Sequence, residues 1–154
     1  MRILTVCLGN ICRSPMAEGV LHHRAAATGL TIATDSAGTS HFHIGDAPDR
    51  RAQDAMRRHG IDISDLRARQ VVAADFERFD LLLAMDAANL RDLRALAPTE
   101  ALRAKAMLIM DFAPDHPLRE VPDPYYGGDE GFNEVFRMLD EAVAGLIAHI
   151  RHGR

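Results

Sequence analysis

A cysteine separated by five residues from an arginine, at the end of an apolar run, constrains this chain more than any other feature. The segment reads Cys7-Leu8-Gly9-Asn10-Ile11-Cys12-Arg13-Ser14-Pro15. It joins a strand-like stretch, Ile3-Leu4-Thr5-Val6, to a helical pattern over 13–27. A strand-to-helix turn of this composition is suited to gripping a phosphate with a nucleophile beneath it. Gly9 and Asn10 both tolerate left-handed backbone angles. Such angles let successive N–H groups point inward as an anion nest. The following helix contributes its positive dipole end and its free N–H groups. Arg13 contributes a planar fork that matches two phosphate oxygens. A field of this kind favours the thiolate, the reactive form of cysteine.

The rest of the chain alternates strand-like and helical stretches. Ser14 and Pro15 suit the start of the first helix and Gly29 its end, with Met16, Val20 and Leu21 facing inward. Thr31-Ile32-Ala33-Thr34 reads as a second strand, and 48–59 as a helix closed by Gly60. The continuous apolar run Leu81-Leu82-Leu83-Ala84-Met85 predicts a strand buried on both faces. A helix over 87–96 stops before Pro98, and 106–110 is a fourth strand. The last helix keeps Phe132, Val135, Phe136, Leu139, Val143, Leu146, Ile147 and Ile150 on one face. This alternation predicts an α/β fold with a parallel sheet and right-handed crossovers. Ligands then bind beyond the carboxyl ends of the strands. Cys7, Ser36 and Asp86 follow the first three strands and are expected on that edge. The two longest loops, 40–49 and 111–131, are expected at or near it.

A chain of 154 residues reads as one domain over 1–154 that needs no disulfide staples. Its net charge of −4 argues against nucleic acid as a partner. A basic site inside an acidic protein favours a small anionic group. Both cysteines, Cys7 and Cys12, lie in the loop, so there is no disulfide framework. The N-terminus reads directly as a strand rather than a signal peptide, and no apolar run reaches membrane-spanning length. A soluble, cytoplasmic protein is expected. The eight histidines form no evident metal set: His22 and His23 are adjacent and diverge on a helix, and His41 and His43 lack a third partner. Cys-x4-Cys is not a usual zinc spacing, and no metal is expected. His59 is expected to face the negative end of its helix.

Further stretches accompany the loop: Asp35-Ser36-Ala37-Gly38-Thr39-Ser40, Arg58-His59-Gly60-Ile61, Ala68-Arg69-Gln70, Met85-Asp86-Ala87-Ala88-Asn89-Leu90-Arg91-Asp92-Leu93 and Asp123-Pro124-Tyr125-Tyr126-Gly127. Together they resemble, in order and over nearly the whole chain, the low-molecular-weight protein tyrosine phosphatases, a bacterial member in particular. The resemblance implies a four-stranded parallel sheet with helices on both faces and the phosphate-binding loop between strand one and helix one. It implies Cys7 as a nucleophile that forms a phosphocysteine. Arg13 would hold the phosphoryl oxygens. Asp123 would protonate the leaving phenolate and then deprotonate water. Leu8, Gly9, Asn10, Ile11, Cys12 and Ser14 would complete the phosphate loop, with Ser14 hydrogen-bonding the Cys7 sulfur. Ser36 and Asp86 would support it. Leu8, Ile11, Phe42, His43, Tyr125 and Tyr126 would wall a slot for an aromatic ring. Cys7 and Cys12 would form a reversible disulfide under peroxide. No cofactor is implied. The implied partners are tyrosine-phosphorylated proteins, a bacterial tyrosine kinase among them, with inorganic phosphate as product and a monomer or weak dimer as the working form.

Other readings stand beside these. Asp123 before Pro124 also suits a plain turn, Asp86 a helix cap, and Cys12 a small packed residue. Tyr125 and Tyr126 are either packing residues or kinase targets. Arsenate reductases share the fold and a similar loop, but their thiol relay commonly needs further cysteines. A related branch acting on phosphoarginine carries threonine where Ile11 stands. A phosphotyrosine-binding module would need neither nucleophile nor acid. Relatives often carry a histidine near Leu66 that fixes the loop asparagine, so that support is expected to differ here. Where some relatives carry an acid, His43 is expected to alter preference for the residues flanking the phosphotyrosine.

Overall fold

The computed structural model describes residues 1–153. Four parallel strands form the sheet in the order β2-β1-β3-β4: β1 (Arg2–Cys7), β2 (Ala33–Gly38), β3 (Leu81–Ala84) and β4 (Ala106–Leu108). The helices are α1 (Arg13–Ala27), α2 (Arg50–Arg57), α3 (Asp75–Arg78), α4 (Ala87–Arg94), α5 (Glu100–Arg103) and α6 (Asp129–Arg151). β1 and β3 lie inside the sheet, which is why both read as apolar runs.

Alternation along these strands divides the core into two layers. Ile3 and Leu83 face α1, α2 and α6, packing with Met16, Leu21, Met56, Phe132 and Leu139. Leu4, Val6, Leu82 and Ala84 face the opposite layer, with Phe76 of α3 and Leu93 of α4. Each buried Leu or Phe side chain contributes about 1.5–3 kcal/mol of transfer free energy. Helices therefore cover both faces and leave the carboxyl ends of the strands open.

Three expectations are corrected. The second strand is Ala33–Gly38 rather than 31–34, so Ser36 lies inside it, paired in register with Thr5. Its sequence, ATDSAG, carries no apolar run, because this is an edge strand held by pairing to β1. The fourth strand stops at Leu108, and Ile109–Phe112 forms a 3-10 turn. His59, expected to face the negative end of its helix, is held instead by an aromatic partner. Its ring stacks on Phe136 of α6, with centroids 3.7 Å apart and planes within 5°. The helices α3 and α5 were not foreseen, since four residues are too few to show periodicity.

Candidate active site

The turn from β1 into α1 is shaped by one residue. Asn10 has φ 59°, the only positive φ outside glycine among the described residues. Gly9, expected to share that conformation, does not. Its missing side chain serves space instead, since a Cβ there would sit 3.0 Å from the His43 ring. Asparagine pays less than most residues for left-handed backbone, and its side chain is anchored on three sides. Nδ2 donates to Ser14 Oγ at 2.8 Å and to Ser36 Oγ at 3.0 Å. Oδ1 accepts from the main-chain N–H of Arg69 at 3.0 Å. The loop asparagine is therefore supported here by the Arg69 backbone rather than by a side chain near Leu66.

Arg69 is brought there by a bridge between Gly38 and Gln70. Gly38 N–H donates to Arg69 O, and Val71 N–H donates to Gly38 O, both at 2.8 Å. Only glycine fits at 38, because a Cβ would lie 2.7 Å from the Leu8 carbonyl oxygen. The Arg69 guanidinium is held in turn by Asp35 and by the fully buried Asp75.

Cys7 ends β1 and is buried. Its sulfur accepts from Asn10 N–H at 3.3 Å and lies 3.0 Å from Ser14 Oγ. Because Ser14 Oγ already accepts from Asn10, its proton is free to point at the sulfur or at the Ala37 carbonyl, 3.4 Å away. No side chain caps the N-terminus of α1, so its first N–H groups remain directed at the loop.

Arg13 is 2% exposed and fixed before any ligand arrives. Its Nη1 donates to Asp86 Oδ2 at 2.6 Å and to Val121 O at 3.0 Å. Asp86 also caps α4, accepting from Asn89 N–H at 2.7 Å. Asp86 thus caps α4 and pairs with Arg13 at once. Val121 N–H donates to Met85 O at 2.9 Å, which draws the following loop over the sheet edge. Asp123 Oδ2 then sits 3.7 Å from Arg13 Nη2, while its Oδ1 accepts from Tyr125 N–H at 3.0 Å.

These groups enclose a cavity of about 280 Å³. Cys7, Cys12 and Arg13 are at its base, and Leu8, Ile11, Phe42, His43, Tyr125 and Tyr126 line it, with Asp123 alongside. Tyr125 and Tyr126 meet edge-on, centroids 5.0 Å apart. His43 is oriented by Asp46 at 3.2 Å. Burial pushes the Cys12 thiol far above its ordinary range, with the Asp49 carboxylate and Cys7 adding to the effect. Larger hollows of about 550 Å³ and 410 Å³ lie beside α1 and α6 and along α4, but neither holds a thiol. Among the described residues, no three His, Cys, Asp or Glu gather as metal ligands. None of the described helices is long and apolar enough to cross a membrane.

Residues 2–154 match the family model for low molecular weight phosphotyrosine protein phosphatase. The chain belongs to this family. It is 45% identical over 154 residues to the low molecular weight protein-tyrosine-phosphatase of Streptomyces coelicolor, covering 97% of this chain and 93% of that one. It is 45% identical over 141 residues to the human low molecular weight phosphotyrosine protein phosphatase, covering 88% and 87%. The crystal structure of a protein tyrosine phosphatase from Entamoeba histolytica superposes with a TM-score of 0.95, at 39% identity over 99% of this chain and 98% of that one. A Drosophila arginine phosphatase superposes at 0.92, with 32% identity over 98% of each.

Within this phosphatase fold, Glu18 is a site residue that sequence reading passed over. Its Oε1 accepts from Ser36 Oγ at 2.7 Å, extending the chain Ser14, Asn10, Ser36 into α1. Burial pushes its carboxyl above the ordinary range, and the Ser36 hydrogen bond opposes this in part. A signal existed: Glu18 is one helical turn beyond Ser14 and so shares its face.

Proposed function

We propose that this enzyme hydrolyses phosphotyrosine in proteins through a phosphocysteine intermediate. The observation that carries the reading is the enclosure of Cys7 Sγ by the 7–13 loop, with Asp123 held 3.7 Å from Arg13 at the same cavity. The Cys7 thiolate attacks phosphorus, and the phosphorus–aryl oxygen bond breaks. Asp123 gives its proton to the departing phenolate. Water then attacks phosphorus, Asp123 takes its proton, and the sulfur–phosphorus bond breaks to release inorganic phosphate. Arg13 and the loop N–H groups hold the equatorial oxygens throughout. Ser14 Oγ, 3.0 Å from the sulfur, steadies the thiolate as it leaves. Leu8, Ile11, Phe42 and Tyr125 supply the apolar walls that suit a flat ring.

Cys12 is assigned the redox role. Peroxide oxidises Cys7 to the sulfenic acid, the Cys12 sulfur attacks it, and water leaves as the disulfide forms.

The test is phosphate release from matched phosphotyrosine and phosphoarginine peptides, with EDTA present. Release from phosphotyrosine alone, lost in Cys7→Ser and reduced about 10²–10⁴-fold in Asp123→Ala, is the expected result. Preference for phosphoarginine would overturn the aromatic slot, and no release from either would overturn the hydrolase reading.

A further inference from the structure

The segment that carries Asp123 has little packing of its own. Tyr126 stands 92% exposed, and Tyr125 is also exposed. Beside the Arg13 contact to Asp123 itself, a side chain of α2 ties down its main chain. Arg51, in the first turn of α2, donates through Nη2 to Tyr125 O and through Nη1 to Gly127 O, each at 2.9 Å. The same guanidinium is gripped from behind by Asp49, with Nε to Oδ1 and Nη2 to Oδ2 both at 3.0 Å. Its Cζ lies 4.7 Å from the centroid of the Phe132 ring and 5.7 Å from that of Tyr125. Asp49 caps α2, and its N–H donates to the Ile11 carbonyl at 2.8 Å. An unbroken polar tie therefore runs from the nucleophile loop through Ile11, Asp49 and Arg51 to the main chain just past Asp123.

We infer that Arg51 is a positioning residue that sets where Asp123 stands relative to the leaving group. The inference rests on Asp123 as the general acid. The planar fork suits this task, since it reaches two carbonyls and one carboxylate at once, whereas an ammonium is a point charge on a flexible stem. Loss of the tie lets the 123–127 segment drift. A displacement of about 1 Å in a reacting group can cost on the order of 10² in rate.

The experiment compares kcat/KM on phenyl phosphate, a poor leaving group that needs the acid, with 2,4-dinitrophenyl phosphate, which leaves unaided. Four proteins are measured: wild type, Arg51→Ala, Asp123→Ala and the double variant. Thermal midpoints establish that each is folded, and Arg51→Lys replaces Arg51→Ala if the latter is not. Arg51→Ala is expected to lose about ten- to a hundred-fold on phenyl phosphate and less than about two-fold on the dinitrophenyl ester. In the Asp123→Ala background it is expected to cost nothing further. Equal losses on both esters, no loss on either, or a full further loss in the double variant would overturn the positioning role. If Asp123→Ala itself ignores the leaving group, the assignment of the acid fails, and the single variant shows that failure separately.

Discussion

Replacing Asn10 by alanine removes two things at once, and their sizes can be worked out separately. The first is a set of three hydrogen bonds, at 2.8, 3.0 and 3.0 Å, to Ser14, Ser36 and the Arg69 main chain, the first two buried and the third partly so. At about 1 kcal/mol net for each, their loss costs about 3 kcal/mol. The second is backbone: at φ 59° alanine suffers a strain of about 1 kcal/mol that asparagine largely avoids. The sum is about 4 kcal/mol, against a whole stability of about 5–15 kcal/mol for a typical domain. For a chain of 154 residues this corresponds to a fall in Tm of roughly 8–16 °C. Asn10→Gly loses the same bonds but not the backbone fit, and is expected to be about 1 kcal/mol less destabilised than Asn10→Ala. Urea unfolding followed by circular dichroism gives both numbers, provided the m-values match. A loss below about 1 kcal/mol for Asn10→Ala would refute the claim that this side chain holds the loop. Equal losses for the two variants would refute the claim that the left-handed backbone matters.

Two further outcomes follow from the titratable groups. Glu18 has its folded pKa raised by burial, so the stability it contributes is complete below the ordinary glutamate range and is lost as pH rises through the raised value. Urea midpoints of wild type relative to Glu18→Gln should therefore fall as pH rises from the ordinary glutamate range through the raised value, and a constant difference would contradict the assignment. Cys12 has its thiol pushed far up by burial, so iodoacetamide at pH 8 should spare it in the native protein and label it in urea. Peptide mass spectrometry reads this directly. The same method should find a Cys7–Cys12 disulfide after brief peroxide treatment, with activity restored by dithiothreitol in wild type but not in Cys12→Ser.

What was legible in the sequence was carried by strong local patterns. β1, β3, α1 and α6 announce themselves by apolar runs or periodicity. Met16, Val20 and Leu21 are buried as expected, as are Phe132, Leu139 and Leu146 on the inner face of α6. The loop stands out by its residue types and their spacing, whereas Asp123 is singled out only through the resemblance carried by the 123–127 stretch. β2 was misplaced because an edge strand of small and polar residues carries no hydrophobic signal. Arg51 was invisible because its partners are carbonyl oxygens 74 and 76 positions away, and carbonyls are the same in every sequence. The Arg69 contact to Asn10 escaped for the same reason, as a main-chain N–H leaves no trace in residue identity. Glu18 looked like an ordinary helix acid, and only its neighbours make it otherwise.

The Asn10 anchors also bear on how such a motif can travel. None of the partners Ser36, Glu18 and Arg69 lies within Cys7–Arg13, and Gly38 must stay bare so that the Leu8 carbonyl can pass. A Cys-x5-Arg heptapeptide grafted onto the strand–helix turn of an unrelated scaffold would inherit the nucleophile without the geometry. The transplantable unit is the turn together with the neighbouring strand end and the 69–71 bridge, three pieces scattered over some sixty residues of chain.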